Sequence, residues 1–110
     1  MIRKVFYLVM TLGIVVSMAA AADAAKAART GKQVYESVCI ACHGTGAAGA
    51  PKFGDKVWVE LEKKEGLKEL VKDAIKGERA MPPKGGCTDC SDGEIRSAVR
   101  YMIDAATKKK

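Results

Sequence analysis

An all-α domain of about four helices is what this sequence predicts, and three observations carry the prediction. Two capping boxes, Thr30 with Gln33 and Ser91 with Glu94, each head an apolar stripe of helical period. Glycines and prolines cluster between the stripes, where turns are needed. After residue 24 no stretch alternates apolar and polar residues with the period of two that a strand requires.

Taken in order, the chain opens with Arg3 and Lys4 ahead of an apolar run from Val5 to Met18 and an alanine-rich junction. That is the pattern of a secretory signal peptide over residues 1–24, with cleavage near Ala22 to Ala24 and a domain over 25–110. The alternative is an uncleaved anchor, because Val5 to Ala22 carries no charge and just reaches bilayer-spanning length. On either reading the domain is exported. The net charge of +6 suits an acidic protein patch, anionic lipid or nucleic acid, and export argues against nucleic acid. A domain this small needs a staple or a bound group to supplement its core. The terminal Lys108, Lys109 and Lys110 read as a solvated tail.

"TGKQVYESVCIACH" places Gly31, Val34, Tyr35, Val38, Cys39 and Cys42 at helical spacing, so one helix face carries both cysteines. A glycine-rich loop follows, and Asp55 caps a short helix that Gly66 ends. Leu67, Leu70, Val71, Ala74 and Ile75 form the stripe of a third helix closed by Gly77. "GERAMPPKGGCTDC" is a loop stiffened by Pro82 and Pro83. Ile95, Ala98, Val99, Met102, Ile103 and Ala106 then line the last helix.

Two signals overlap in "CIACHGTGAAGAP". Gly44, Gly46 and Gly49 trace G-x-G-x-x-G, but that fingerprint belongs between a strand and a helix, and no strand precedes it here. The glycines instead let the chain turn tightly and approach a flat group. C-x-x-C-H has a reason at each position. Cys39 and Cys42, three apart on a helix, each reach one vinyl group of the same porphyrin, and His43 reaches its iron. A zinc site is disfavoured by the long separation of the two C-x-x-C pairs and by export, and a thioredoxin-like dithiol by the lack of a βαβ pattern. His43 is the sole histidine, which excludes paired histidine ligation within one chain. Of the methionines after residue 24, Met102 lies on an apolar stripe and reads as core, whereas Met81 lies in the proline-stiffened loop and is the expected distal ligand.

At "CIACHGTGAAGAPKFGDK" and "AMPPKGGCTDCSDGEIRSAVRYMI" the chain resembles the cytochrome c5 family of bacterial class I monohaem c-type cytochromes. The resemblance implies a class I cytochrome c fold around one covalent haem c, attached through Cys39 and Cys42, with iron held by His43 and Met81. It implies a small disulfide between Cys87 and Cys90, and the packing of Gly31 and Tyr35 against Tyr101. It also makes Pro51 the residue whose carbonyl accepts the Nδ1 proton of the proximal histidine. The family often carries tryptophan, a residue, proline and arginine after "GDK", where this chain has "VWVELEKK". The basic contact to a haem propionate is thereby left without a candidate, and Trp58 is expected either to donate its indole N–H to a propionate or to serve as a buried core aromatic.

With both axial positions filled by protein, the expected function is one-electron transfer in the periplasm rather than enzyme catalysis. Expected partners are redox proteins such as membrane respiratory complexes or terminal reductases, with Lys52, Lys56 and Lys84 steering an acidic surface toward the haem edge. Membrane association is expected only if the leading segment stays uncleaved, and a monomer is the default. The alternative from another class is a haem protein with a labile Met81 that binds a gas or reduces peroxide; a third is a haem-free module held by two disulfides.

Overall fold

The computed structural model describes residues 28–108; the expected signal peptide over 1–24 lies outside them. The first capping box forms as read. The Thr30 hydroxyl accepts from the Gln33 N–H at 3.2 Å while the Gln33 side chain accepts from the Thr30 N–H at 2.9 Å. These bonds satisfy two of the donors that every helix start leaves unpaired. They launch α1, Gly31–Val34.

The expected single α-helix through the cysteines is corrected at this point. Residues Tyr35–Cys39 form a π-helical turn, and only then does α2, Ile40–His43, resume α geometry. The Ser37 hydroxyl donates to the Val34 carbonyl at 3.1 Å within this wider turn. A π turn rotates everything downstream of it relative to an unbroken α-helix. Val34 and Tyr35 are accordingly buried in the core while Cys42 stays at the surface.

Glycines punctuate the middle of the chain. Gly66, with φ 82°, separates α3, Val57–Glu65, from α4, Leu67–Lys76, and Gly77 ends α4. Asp55 lies just upstream of α3 and its carboxylate accepts from the Val57 N–H at 3.3 Å. The second capping box starts α5, Asp92–Thr107, with Ser91 and Glu94 bonded reciprocally at 3.0 and 3.1 Å.

The core is built on α5. Its Ile95, Ala98, Val99, Met102, Ile103 and Ala106 are buried against Val34 and Tyr35, Trp58 of α3, and Val71 and Ala74 of α4. Met102 is core, as its place on the stripe implied. α1 crosses α5 at Gly31, where an added Cβ would lie 2.6 Å from the Ser97 carbonyl carbon and 3.1 Å from Tyr101 Cβ. Only a residue without a side chain permits that approach. No helix among the described residues is long and apolar enough to cross a membrane.

Candidate haem site

Cys39 and Cys42 sit either side of the start of α2, Cys39 half-buried and Cys42 exposed, and they are not joined to each other. Burial pushes the Cys39 thiol above its ordinary value. A thiol so placed is a poor source of thiolate for a metal, which weighs further against a zinc site here.

His43 closes α2 and is buried. Its Nδ1 lies 2.7 Å from the Pro51 carbonyl oxygen, and its own carbonyl accepts from the Phe53 N–H at 2.6 Å. The segment 51–53 thus clasps the histidine at ring and backbone. A carbonyl can only accept, so Nδ1 carries the proton and Nε2 presents its lone pair. That is the tautomer a metal-ligating imidazole needs. The loop that returns the chain to this clasp is made by Gly46 and Gly49, with φ 80° and 78°.

Trp58 packs beside the histidine, ring centroids 5.5 Å apart, and is 5% exposed. Its indole N–H donates to the Lys52 carbonyl at 3.1 Å. Of the two roles expected of Trp58, the buried core aromatic is the one visible among the described residues, and its donor helps to hold the same 51–53 segment.

Met81 comes from the loop between α4 and α5. Its backbone is fixed by a two-way bridge with Glu78, at 3.0 and 2.9 Å, across a turn in which Arg79 has φ 52°. Gly77 makes that turn possible, because a Cβ there would lie 2.8 Å from Pro83 N and 3.0 Å from the Met81 carbonyl oxygen. The Met81 side chain is half-buried against the core. A Cβ built on Gly85 would sit 3.6 Å from Val38 and 3.9 Å from the Met81 methyl, so the end of Met81 faces the turn leading into the cysteines. Pro83–Gly86 form a 3-10 turn in which Lys84, Gly85 and Gly86 all have positive φ.

Lys84 does not behave as a steering charge. Its ammonium donates to the Cys90 carbonyl at 2.8 Å and pairs with Asp92 at 3.3 Å, leaving its side chain 28% exposed. Lys52 and Lys56 are exposed.

Cys87 and Cys90 are joined in a disulfide, both buried, immediately before α5. Ser91 follows Cys90, so this second C-x-x-C offers no imidazole. Its sulfurs, bonded to each other, are not available to hold an ion with Asp89. Arg29 sits over this disulfide. Its Nη2 lies 3.3 Å from Cys90 Sγ and its Nε 2.7 Å from Glu94 Oε2, which also accepts the Arg29 backbone N–H at 3.0 Å. The Arg29 guanidinium, followed by the Ser91 and Arg29 backbone donors, holds the Glu94 carboxyl down to about 2. Arg29 and the second use of Glu94 were not apparent in the sequence, where the two lie 65 residues apart.

Phe53 was also missed. Its ring lies 4.6 Å from Tyr35 and 5.4 Å from Tyr101, and the two tyrosines are 5.5 Å apart, so the packing expected of Gly31, Tyr35 and Tyr101 contains a third ring. A lone phenylalanine in a glycine and proline loop gives no periodic signal.

The donor set fits a covalently held haem: two unpaired thiols on one helical segment, an adjoining imidazole with its Nε2 free, and a glycine-lined approach beside a methionine. Comparison with known proteins agrees. Residues 26–102 match the family model described as cytochrome c oxidase, cbb3-type, subunit III. Cytochrome c5 of Ectopseudomonas mendocina is 46% identical over 84 residues, which cover 74% of this chain and 97% of that protein. Cytochrome c5 of Azotobacter vinelandii is 47% identical, with 68% and 93% covered. Cytochrome c-555 of Chlorobaculum tepidum is 40% identical, with 69% and 74% covered. Among solved structures, a chain in an electron transfer complex of nitrite reductase with cytochrome c superposes with a TM-score of 0.64 at 44% identity, covering 69% of this chain and 93% of that one. The chain therefore belongs to the cytochrome c5 family, with the class I cytochrome c fold, and is a small electron carrier with one covalently attached haem c.

Proposed function

We propose that the chain is a periplasmic one-electron carrier in which Cys39 and Cys42 hold the haem, His43 and Met81 are the axial ligands, and respiratory complexes or terminal reductases are the partners. The clasp on His43 is the observation that carries this reading. The Pro51 carbonyl fixes both tautomer and ring orientation, which supports a permanent axial ligand rather than a group that shuttles protons.

When bound, the haem supplies reversible one-electron chemistry at iron, and a neutral thioether ligand favours the ferrous state and raises the potential. The chain contributes rigidity and exclusion of water. Trp58 bonds the Lys52 carbonyl and the Phe53 N–H bonds the His43 carbonyl, so the 51–53 segment is held against His43. Glu78 and Gly77 fix the Met81 backbone. With His43 and Met81 both held to the iron, no position would be left for an outside ligand, which is why electron transfer is preferred to gas binding or peroxide reduction. The partner assignment takes support from the nitrite reductase complex that contains the similar cytochrome. Exposed Lys52 and Lys56 provide charge for transient docking on an acidic surface.

Visible spectra of the exported protein test the ligand set. The ferric protein is expected to show the weak far-red band of methionine-to-iron ligation, and Met81→Ala is expected to lose it while keeping the covalent haem. Rapid carbon monoxide binding by the ferrous wild type at neutral pH would instead support a labile Met81.

A further inference from the structure

Beside the crossing of α1 and α5 the surface is indented by a shallow groove of about 600 Å³, lined by Lys32, Leu67, Arg96, Arg100, Tyr101 and Asp104 among others. It is distinct from the residues assigned to the haem. Gly31 is part of its lining, where the absence of a side chain lets α1 settle onto Ser97.

The lining is basic. Lys32 lies 3.9 Å from Glu36 with both side chains more than half exposed, and Arg100 pairs with Asp104 at 3.2 Å. Arg96 is exposed and makes no ion pair among the described residues. Exposed pairs of this kind hold weakly and exchange partners easily. Arginine forks match carboxylates in two-point contacts, and the groove is too open to enclose a small anion. Its complement is a protruding, carboxylate-bearing segment of another protein. A flat lipid surface does not enter a concavity between helices.

The floor identifies the kind of protein. Tyr101 lines the groove and packs at 5.5 Å from Tyr35 and 5.4 Å from Phe53. Tyr35 stands one turn before Cys39 in the π-helical segment, and Phe53 is hydrogen-bonded to the His43 carbonyl. A continuous aromatic cluster thus joins the groove to both cysteine and histidine portions of the haem segment.

We infer that this groove docks an acidic segment of a redox protein and gives the carrier a second face for electron exchange, besides the one flanked by Lys52 and Lys56. The inference rests on the electron-carrier reading. One electron leaves the ferrous centre, which becomes ferric, and reduces the oxidised partner by one electron; no bond changes and no proton moves. The rings conduct by contact and are not themselves oxidised.

Titrating the reduced, isotope-labelled holoprotein with a hexaglutamate peptide tests the docking. Amide shifts are expected at Gly31 to Gln33 and Arg96 to Tyr101, with about tenfold weaker binding in Arg96→Glu/Arg100→Glu. Shifts confined to the Lys52 to Lys56 segment, no shifts, or shifts that survive the double variant overturn it. So does self-association that fills the groove without peptide. The aromatic link is tested with a ruthenium polypyridyl photosensitiser attached at Lys32→Cys. Electron transfer from the ferrous haem is expected to slow severalfold with Tyr101→Leu and to be kept by Tyr101→Phe; equal rates in both overturn the redox assignment. Spectra of each variant taken first separate this failure from failure of the carrier reading, since loss of the six-coordinate signature would already be visible there.

Discussion

The two sides of the haem site are held in different ways. On the side of His43, residues 43 to 58 form a local clasp: His43 Nδ1 donates to the Pro51 carbonyl, the His43 carbonyl accepts from the Phe53 N–H, and Trp58 donates back to Lys52. On the distal side, Met81 rides on a loop held by positive-φ residues, a disulfide and an ion pair with Arg29, far away in sequence. His43, the proposed proximal ligand, is fixed by short-range bonds that form as soon as the loop closes. Met81, the proposed distal ligand, depends on tertiary structure being complete, and its side is where loosening should appear first.

The largest effect is expected from Gly77→Ala. At φ 87° the new Cβ meets Pro83 N at 2.8 Å, which is main chain and cannot swing aside. A side chain in that backbone region costs about 1–3 kcal/mol before the clash is counted. Chemical denaturation should show at least that loss, and the ferric far-red band should weaken because the displaced atoms belong to the Met81 turn. An intact band in a destabilised protein would mean that the distal ligand is not governed by this loop. Next in size is Cys87→Ala/Cys90→Ala. Closing so short a loop stabilises by about 2 kcal/mol in the chain-entropy view. The proximal clasp contains neither cysteine, so the loss should appear as distal lability, read as faster carbon monoxide binding by the ferrous protein.

Much of this architecture was legible in the residues. Both capping boxes, the glycine stops at Gly66 and Gly77 and the α5 stripe follow from local chemistry, and each forms where it was expected. The C-x-x-C-H motif and its Pro51 partner are eight residues apart in a tight loop, so the local pattern and the family resemblance were enough to bring them together. What failed was long-range or competitive. Glu94 already had a role as the capping glutamate, which concealed its pairing with Arg29. Lys84 had a plausible job at the haem edge, but a left-handed backbone turned its side chain toward the Cys90 carbonyl and Asp92. The bond from the Trp58 indole to the Lys52 carbonyl was not anticipated, because nothing in the sequence says which carbonyl a tryptophan N–H will meet. The π-helical turn leaves no mark in apolar spacing, because Val34, Tyr35 and Val38 suit either helix.

The Arg29 to Glu94 pair gives the comparison a pH axis. The Glu94 carboxyl is held at about 2 in the folded protein, below the ordinary unfolded value of about 4.3. Its contribution is therefore fully present above that unfolded value and is lost as the pH falls toward 2. Arg29→Gln removes the main cause of the shift. Melting temperatures of wild type and variant should differ by a constant amount above about pH 5 and converge as the pH falls through that window. A gap that stays open in acid would assign the effect of Arg29 to packing on the disulfide rather than to the carboxylate.

The smallest expected effect lies on the proximal side and is the sharpest check of how that side works. Trp58→Phe keeps a ring beside His43 but removes the N–H that binds the Lys52 carbonyl. One net hydrogen bond is worth about 0.5–1.5 kcal/mol. Stability should fall by about that much, with some further loss from the smaller ring. The far-red ferric band should stay, because the Met81 loop does not touch this bond. Were the indole bound to a propionate instead, the substitution would expose a charged group of the haem and shift the reduction potential. An unchanged potential with lowered stability would show that Trp58 acts on the peptide segment that orients His43, and that the proximal clasp is built from main chain backed by an aromatic.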